Sequence, residues 1–120
     1  MVDDLSEFFE PIRKILAQAR WPGVEEGLSY GTAALKLKGK LLCRMREPDV
    51  LVLRCELDEK EFLIQSAPEI YFETDHYKGY SAILVRLEAI DAEELKERIE
   101  KYWTSIASKK MLDEYWSRSD

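Results

Sequence analysis

Five cations, Lys36, Lys38, Lys40, Arg44 and Arg46, fall between Thr32 and Arg46 with no carboxylate among them. The stretch carries +5 in a 120-residue chain of formal net charge −6, which leaves −11 on the remainder. Cations held at a fixed spacing attract a polyanion and displace its counterions, so the chemistry that this array suits is phosphate binding. The odd-even pattern assigns the carrier. In a strand successive side chains alternate faces, so Lys36, Lys38, Lys40, Arg44 and Arg46 share an outward face while Leu35, Leu37, Leu41, Cys43 and Met45 point inward. Lys38-Gly39-Lys40 is the hairpin loop, with Leu37 opposite Leu41. A further strand after Pro48-Asp49 sets Cys43 opposite Cys55 and Arg44 opposite Arg54, which adds Arg54 to the basic face.

The other candidate chemistry lies in the loop 74–80. The single histidine, His76, stands beside Glu73, Asp75 and Tyr77, and a carboxylate next to an imidazole is a usable pair for metal ligation or proton transfer. One histidine falls short of the ligand set of a catalytic zinc, although distant carboxylates such as Glu26 could converge on it. His76, Tyr77, Lys78 and Tyr80 are therefore expected to form a mobile pocket loop and not a metal site. Cys43 and Cys55 face inward on strands, where thiols are inert. Lys40 is followed by Leu41 where a phosphate-binding loop needs Ser or Thr for magnesium. No catalytic constellation, metal or cofactor is expected.

The elements that must hold these residues follow from periodicity. Leu5, Phe8, Phe9, Ile12, Ile15, Leu16 and Ala19 recur at helical spacing and predict a helix from Asp4 to Arg20, kinked at Pro11 and ended by Trp21-Pro22-Gly23. Gly23 to Gly27 reads as a polar connector. Three strands occupy 30–57. A capping box at Asp58-Glu61 opens a short helix that Pro68 ends, and Ile70–Glu73 and Ala82–Leu87 are two more strands. A second capping box at Asp91-Glu94 opens the C-terminal helix, with a break near Thr104 and Ser105 before Met111, Leu112, Tyr115 and Trp116. The order α-βββ-α-ββ-α(α) describes an α+β domain, an antiparallel sheet packed by an N-terminal helix and C-terminal helices.

Length and composition bound the rest. A chain of this size buries roughly 65% of its unfolded surface, enough for one core without metal or disulfide. With 46% hydrophobic and 35% charged residues it is globular. No apolar run approaches a membrane span, and the acidic start, Met1-Val2-Asp3-Asp4, is unlike a signal peptide, so a cytoplasmic address and reduced thiols are expected. The acidic balance, with pI about 4.9, argues against nucleic-acid binding by the whole surface.

Pro22-Gly23-Val24 after the first helix, Gly39-Lys40 at the hairpin, Tyr71-Phe72-Glu73-Thr74-Asp75-His76-Tyr77 with Gly79 before a strand, and a helix closing on Trp103 and Lys109-Lys110 together resemble the MmcQ/YjbR family of small bacterial proteins. The resemblance spans about Leu5 to Leu112. It implies a compact α+β domain with a proposed double-wing DNA-binding arrangement, and no established reaction. Many members carry Trp where this chain has Tyr80-Ser81; a ligand contact there would leave Tyr80 the stacking surface and add a hydroxyl. Residues and resemblance converge on a non-catalytic binding module with DNA or another polyanion as first partner. The second reading is a protein- or small-ligand-binding adaptor whose basic face is solvated surface, and the third an enzyme using His76.

Overall fold

The computed structural model describes residues 5–119. Six strands, β1 (Val24–Ser29), β2 (Thr32–Leu37), β3 (Lys40–Glu47), β4 (Val50–Arg54), β5 (Tyr71–Phe72) and β6 (Ala82–Arg86), form one antiparallel sheet in the order β1-β2-β3-β4-β6-β5. Helices α1 (Glu10–Ala19), α3 (Ala92–Ile106) and α4 (Lys109–Trp116) belong to the core built on one face of that sheet, and α2 (Leu57–Ser66) connects β4 to β5. The α+β class and the order of helices around the sheet are those expected.

The inner face is a continuous apolar layer. Leu35, Leu37, Leu42, Cys43, Met45, Leu51, Leu53, Ile83 and Val85 from the strands meet Phe9, Ile12 and Ile15 of the N-terminal segment and Leu95, Ile99 and Trp103 of α3. A sheet face and a helix stripe each need a cover, and these cover one another. Trp103 is fully buried and donates from Nε1 to the carbonyl of Pro22 at 3.2 Å. Beside it Gly23 has φ 79°, a conformation that strains any other side chain, and a Cβ there would stand 2.6 Å from Leu37 Cδ1 and push it aside. The Pro-Gly pair after the first helix is thus a packing device.

Several local expectations change. The first helix is split: a 3-10 turn, Ser6–Phe9, precedes α1, and Pro11 sits in the first turn of α1, where its missing N–H costs nothing. The expected start at Asp4 lies outside the described residues. The segment read as a connector is the edge strand β1; its Glu25, Glu26 and Gly27 carry no apolar alternation because an edge strand with exposed positions does not require one. Helix α2 begins at Leu57 after Glu56, with no side-chain cap, and not after Asp58. Asp91 does cap α3, accepting from Glu94 N–H at 2.8 Å, while the later break comes at Ala107-Ser108 and Ser108 caps α4.

The hairpin register is the main correction. Lys38 and Gly39 alone form the loop, at φ 49° and 84°, and Leu37 pairs with Lys40 and Lys36 with Leu41. Positive φ at both positions is the requirement of a type I′ turn, whose twist matches that of the strands. Leu41 therefore takes an outward place and Lys40 the opposite face. A bulge then restores the alternation: Leu42 and Cys43 are both buried, Cys43 faces Leu35, and Arg44 faces Ala34. Across the next hairpin Cys43 pairs with Leu53 and Arg44 with Val52, not with Cys55 and Arg54. Arg54 lies two residues along the same face as Val52, opposite Ala82.

Candidate functional site

The outer sheet face carries a second, smaller apolar cluster, Val52, Tyr77, Ala82 and Leu84, with Val50 and Phe72 against it. Its lid is the segment between β5 and β6, where Asp75–Tyr77 makes a 3-10 turn and places Tyr77 face down on the strands. The segment is held by an unexpected residue. Lys60 of α2 is only 3% exposed; its ammonium donates to the carbonyls of Tyr77 at 2.7 Å and Tyr80 at 2.9 Å and pairs with Glu73 at 2.8 Å. A buried cation needs its donors satisfied, and these three acceptors lie just before the loop, at its middle and at its end. The expected mobile loop and the residue before it thus make three contacts with this one ammonium. The sequence held a signal for it, because Lys60 stands three residues before the buried Leu63, on the apolar stripe of α2.

Beside this lid the outer face forms a cleft of about 750 Å³, lined by Tyr30, Leu41, Arg44, Val52, Arg54, His76, Tyr77, Gly79, Tyr80, Ser81 and Ala82. Tyr30 lies in the β1–β2 turn, ahead of β2, and Tyr80 precedes β6. The strand pairings put the start of β2 and the start of β6 at opposite ends of the sheet, so Tyr30 and Tyr80 enter the cleft from opposite ends of the sheet. His76, Tyr77 and Tyr80 form one aromatic group, with ring centroids 5.0 to 6.3 Å apart.

The arginines are oriented by aromatic, hydroxyl and carbonyl groups. Arg44 donates to the Tyr77 hydroxyl at 3.0 Å and to the Met45 carbonyl, and its guanidinium lies 5.0 Å from the Tyr30 ring centre. Arg46 lies 5.3 Å from the Tyr77 ring. Arg54 donates to the Ser81 carbonyl at 2.9 Å and lies 5.4 Å from the Tyr102 ring. Arg86, absent from the sequence reading, occupies the same face over Phe72 at 4.1 Å. Among the described residues none of Lys36, Lys38, Lys40, Arg44, Arg46 and Arg54 forms a salt bridge. Neutral acceptors orient these guanidinium groups without cancelling their charge, and each keeps N–H donors to spare.

Of the residues singled out in the sequence, the cleft gathers Arg44, Arg54, His76, Tyr77 and Tyr80. Lys36 and Arg46 border it on the same face, Lys38 is at the hairpin tip, Lys40 turns to the other face, and Lys78 is exposed outside the lining. Glu26 does not approach His76; it is engaged by Arg13 at 2.8 Å. No three His, Cys, Asp or Glu side chains gather as a metal site among the described residues. Both cysteines are free and buried, and burial pushes their thiols up from 9.0, Cys43 to about 12 and Cys55 to about 11. Such thiols are poor nucleophiles.

The protein is an antiparallel α+β domain with helices on one sheet face and an arginine- and tyrosine-lined cleft on the other. The chain belongs to the YjbR family, whose sequence pattern matches residues 19–105. It is similar to an uncharacterised protein of Mycobacterium bovis and to uncharacterised proteins of two strains of Mycobacterium tuberculosis, each 35% identical over 72 residues, 59% of this chain and 56% of theirs. The chain thus spans little more than half the length of these curated relatives. No solved structure matches it. Among the described residues no helix is long and apolar enough to cross a membrane.

Proposed function

We propose that the protein is a non-catalytic binding module that takes nucleic acid or another polyanion on the outer face of its sheet. One observation carries the reading: Arg44 and Arg54 stand in a concave, aromatic-walled cleft, held in place by uncharged acceptors and without a carboxylate partner among the described residues. Lys36, Lys38 and Arg46 extend the positive surface away from it. A protein that stacks no negative charge against its own arginines leaves their field for a ligand. The free, buried thiols agree with a reduced, cytoplasmic setting.

A titration with mixed-sequence DNA at about 50 mM salt tests this. Saturable binding is expected, weakening steeply by about 200 mM as counterion release loses its advantage. Affinity stays modest, because the acidic remainder of the chain repels the same ligand. A folded protein that binds no polyanion at low salt replaces this reading with the adaptor. That alternative has an observation of its own, the exposure of Leu57 and of Phe62, at 66%, on α2.

A further inference from the structure

The two type I′ turns hold unusual residues. Between Ser29 and Thr32 the loop is Tyr30-Gly31, at φ 52° and 80°. The first position of such a turn favours Asn, Asp or Gly, and a bulky side chain at positive φ is strained. Tyr30 recovers none of that cost by burial, since it is 88% exposed. Its one described contact is with the Arg44 guanidinium. On the same cleft Tyr80 is 58% exposed, next to His76 and Tyr77. Two exposed rings that line one concavity together with Arg44 and Arg54 are not explained by packing. Strain held without a packing return is an indication of function.

Building on the polyanion reading, we infer that the cleft takes an unpaired stretch of nucleic acid, with bases stacked on Tyr30 and Tyr80 and the intervening phosphates on Arg44 and Arg54. A duplex hides its base faces and offers a side chain only groove edges and phosphates, so exposed rings inside a concavity would have nothing flat to meet. An unpaired strand offers both parts, and ring stacking with a cationic track is how sequence-tolerant single-strand binding is built. Arg44 beneath Tyr30 adds to this, because a base on the open face of the ring completes a base, ring and guanidinium stack. The volume, about 750 Å³, falls in the range of roughly 300 to 1,000 Å³ typical of sites for compact ligands, not of a groove-sized surface.

The experiment compares labelled oligo-dT, oligo-rU, a duplex of equal length and inorganic polyphosphate at about 50 mM salt, for the wild type and for Tyr30→Ala, Tyr80→Ala, Tyr30→Phe and Tyr80→Phe. Both side chains are exposed, so the variants keep the fold, and a thermal melt checks it. At least one strand is expected to bind tighter than the duplex, each Ala variant to lose roughly tenfold for that strand, and each Phe variant to retain it. Polyphosphate affinity should not move. Preference for oligo-dT or oligo-rU identifies the source of the strand, and either supports the inference. A duplex bound as tightly as the strands, or Ala variants without effect, overturns the single-strand inference and leaves the polyanion reading intact. Failure of the folded wild type to bind any of the four probes overturns both.

Discussion

The two faces of the sheet are built on different principles. The inner face is closed by helices: Leu35, Met45, Leu51, Leu53 and Ile83 are fully buried or nearly so under Phe9, Ile12, Ile99 and Trp103. The outer face is closed over only part of its area, by a loop that a single ammonium ties down, and its remaining surface is cationic and aromatic. The inner face obtains its stability from removing apolar area from water. The outer face spends part of that stability on positions that a packing argument would fill otherwise: Tyr30 and Lys38 at positive φ, Lys60 in a buried place, and Arg44 and Arg54 without a carboxylate partner among the described residues. On the proposed polyanion reading, the contrast separates residues kept for folding from residues available to a ligand.

The largest effect should come from the inner face. Trp103→Ala removes a fully buried ring and its bond to Pro22, and large-to-small changes of this kind cost about 3–5 kcal/mol. Urea denaturation should show either a large fall in midpoint or an unfolded protein. A near-neutral result would mean that the helices do not close this face as described.

The second test breaks the outer face locally. Lys60→Met keeps the length of the side chain but leaves the Tyr77 and Tyr80 carbonyls and Glu73 without their donor. Unsatisfied groups of this kind cost about 1–3 kcal/mol, here less at Glu73, which reaches solvent. Hydrogen exchange should accelerate at the Tyr77 and Tyr80 amides, which bond to Thr74 and Tyr77 within the loop, before it changes in β3 or β4. Uniform acceleration across the sheet would show that the two faces unfold as one unit and that the loop is not a separate structure.

How much of this was legible in the sequence follows the same division. Inner-face positions carry a period, so α1, α3 and most strands could be placed from Leu, Ile and Phe spacing. The edge strand β1 could not, because Val24-Glu25-Glu26-Gly27 is exposed on too many positions to show an alternation. The bulge at Leu42-Cys43 was missed because two consecutive buried residues read as one strand phase or the other, and only the two-residue loop Lys38-Gly39 decides which. Of the site, the charge run was visible. The roles of Arg44 and Arg54 in the cleft depend on Tyr77, Ser81 and Tyr30 arriving from elsewhere in the chain, which periodicity does not report.

A third, smaller effect reads out the inner face by pH. Burial raises the Cys43 and Cys55 thiols from 9.0 to about 12 and about 11, and the Tyr115 phenol from 10.0 to about 12, through burial first and then its bond to Glu100. In the unfolded chain these groups ionise at their ordinary values while the folded state still holds the protons. Their contribution to stability is therefore complete below the unfolded values and is lost as pH rises toward the folded ones. Between about pH 8 and pH 10 the unfolding free energy should fall by about 1 kcal/mol per thiol. Cys43→Ala should flatten the dependence, and an outer-face change such as Lys36→Gln should not. An unchanged slope in Cys43→Ala would show that this thiol is not the group being sensed.

The smallest effect is the sharpest on function. Lys38 occupies the first loop position of its hairpin at φ 49°, where an L-residue other than Asn or Asp is disfavoured. Lys38→Asn supplies the residue that a type I′ turn prefers and removes one exposed charge that makes no salt bridge among the described residues. If the turn is held off its best residue for the sake of a phosphate contact, the variant should be more stable by about half a kcal/mol, within the range of surface optimisation. It should also bind DNA more weakly, with the logarithmic salt slope reduced by about 0.7 to 0.9 for the lost contact. The opposite signs are the point of the test. Greater stability with unchanged binding and slope would make Lys38 an ordinary solvated lysine and shrink the ligand surface to the cleft itself. Lower stability would mean that Lys38 supports the hairpin through its long aliphatic stem, and the division between folding and ligand residues would then have to be redrawn at this turn.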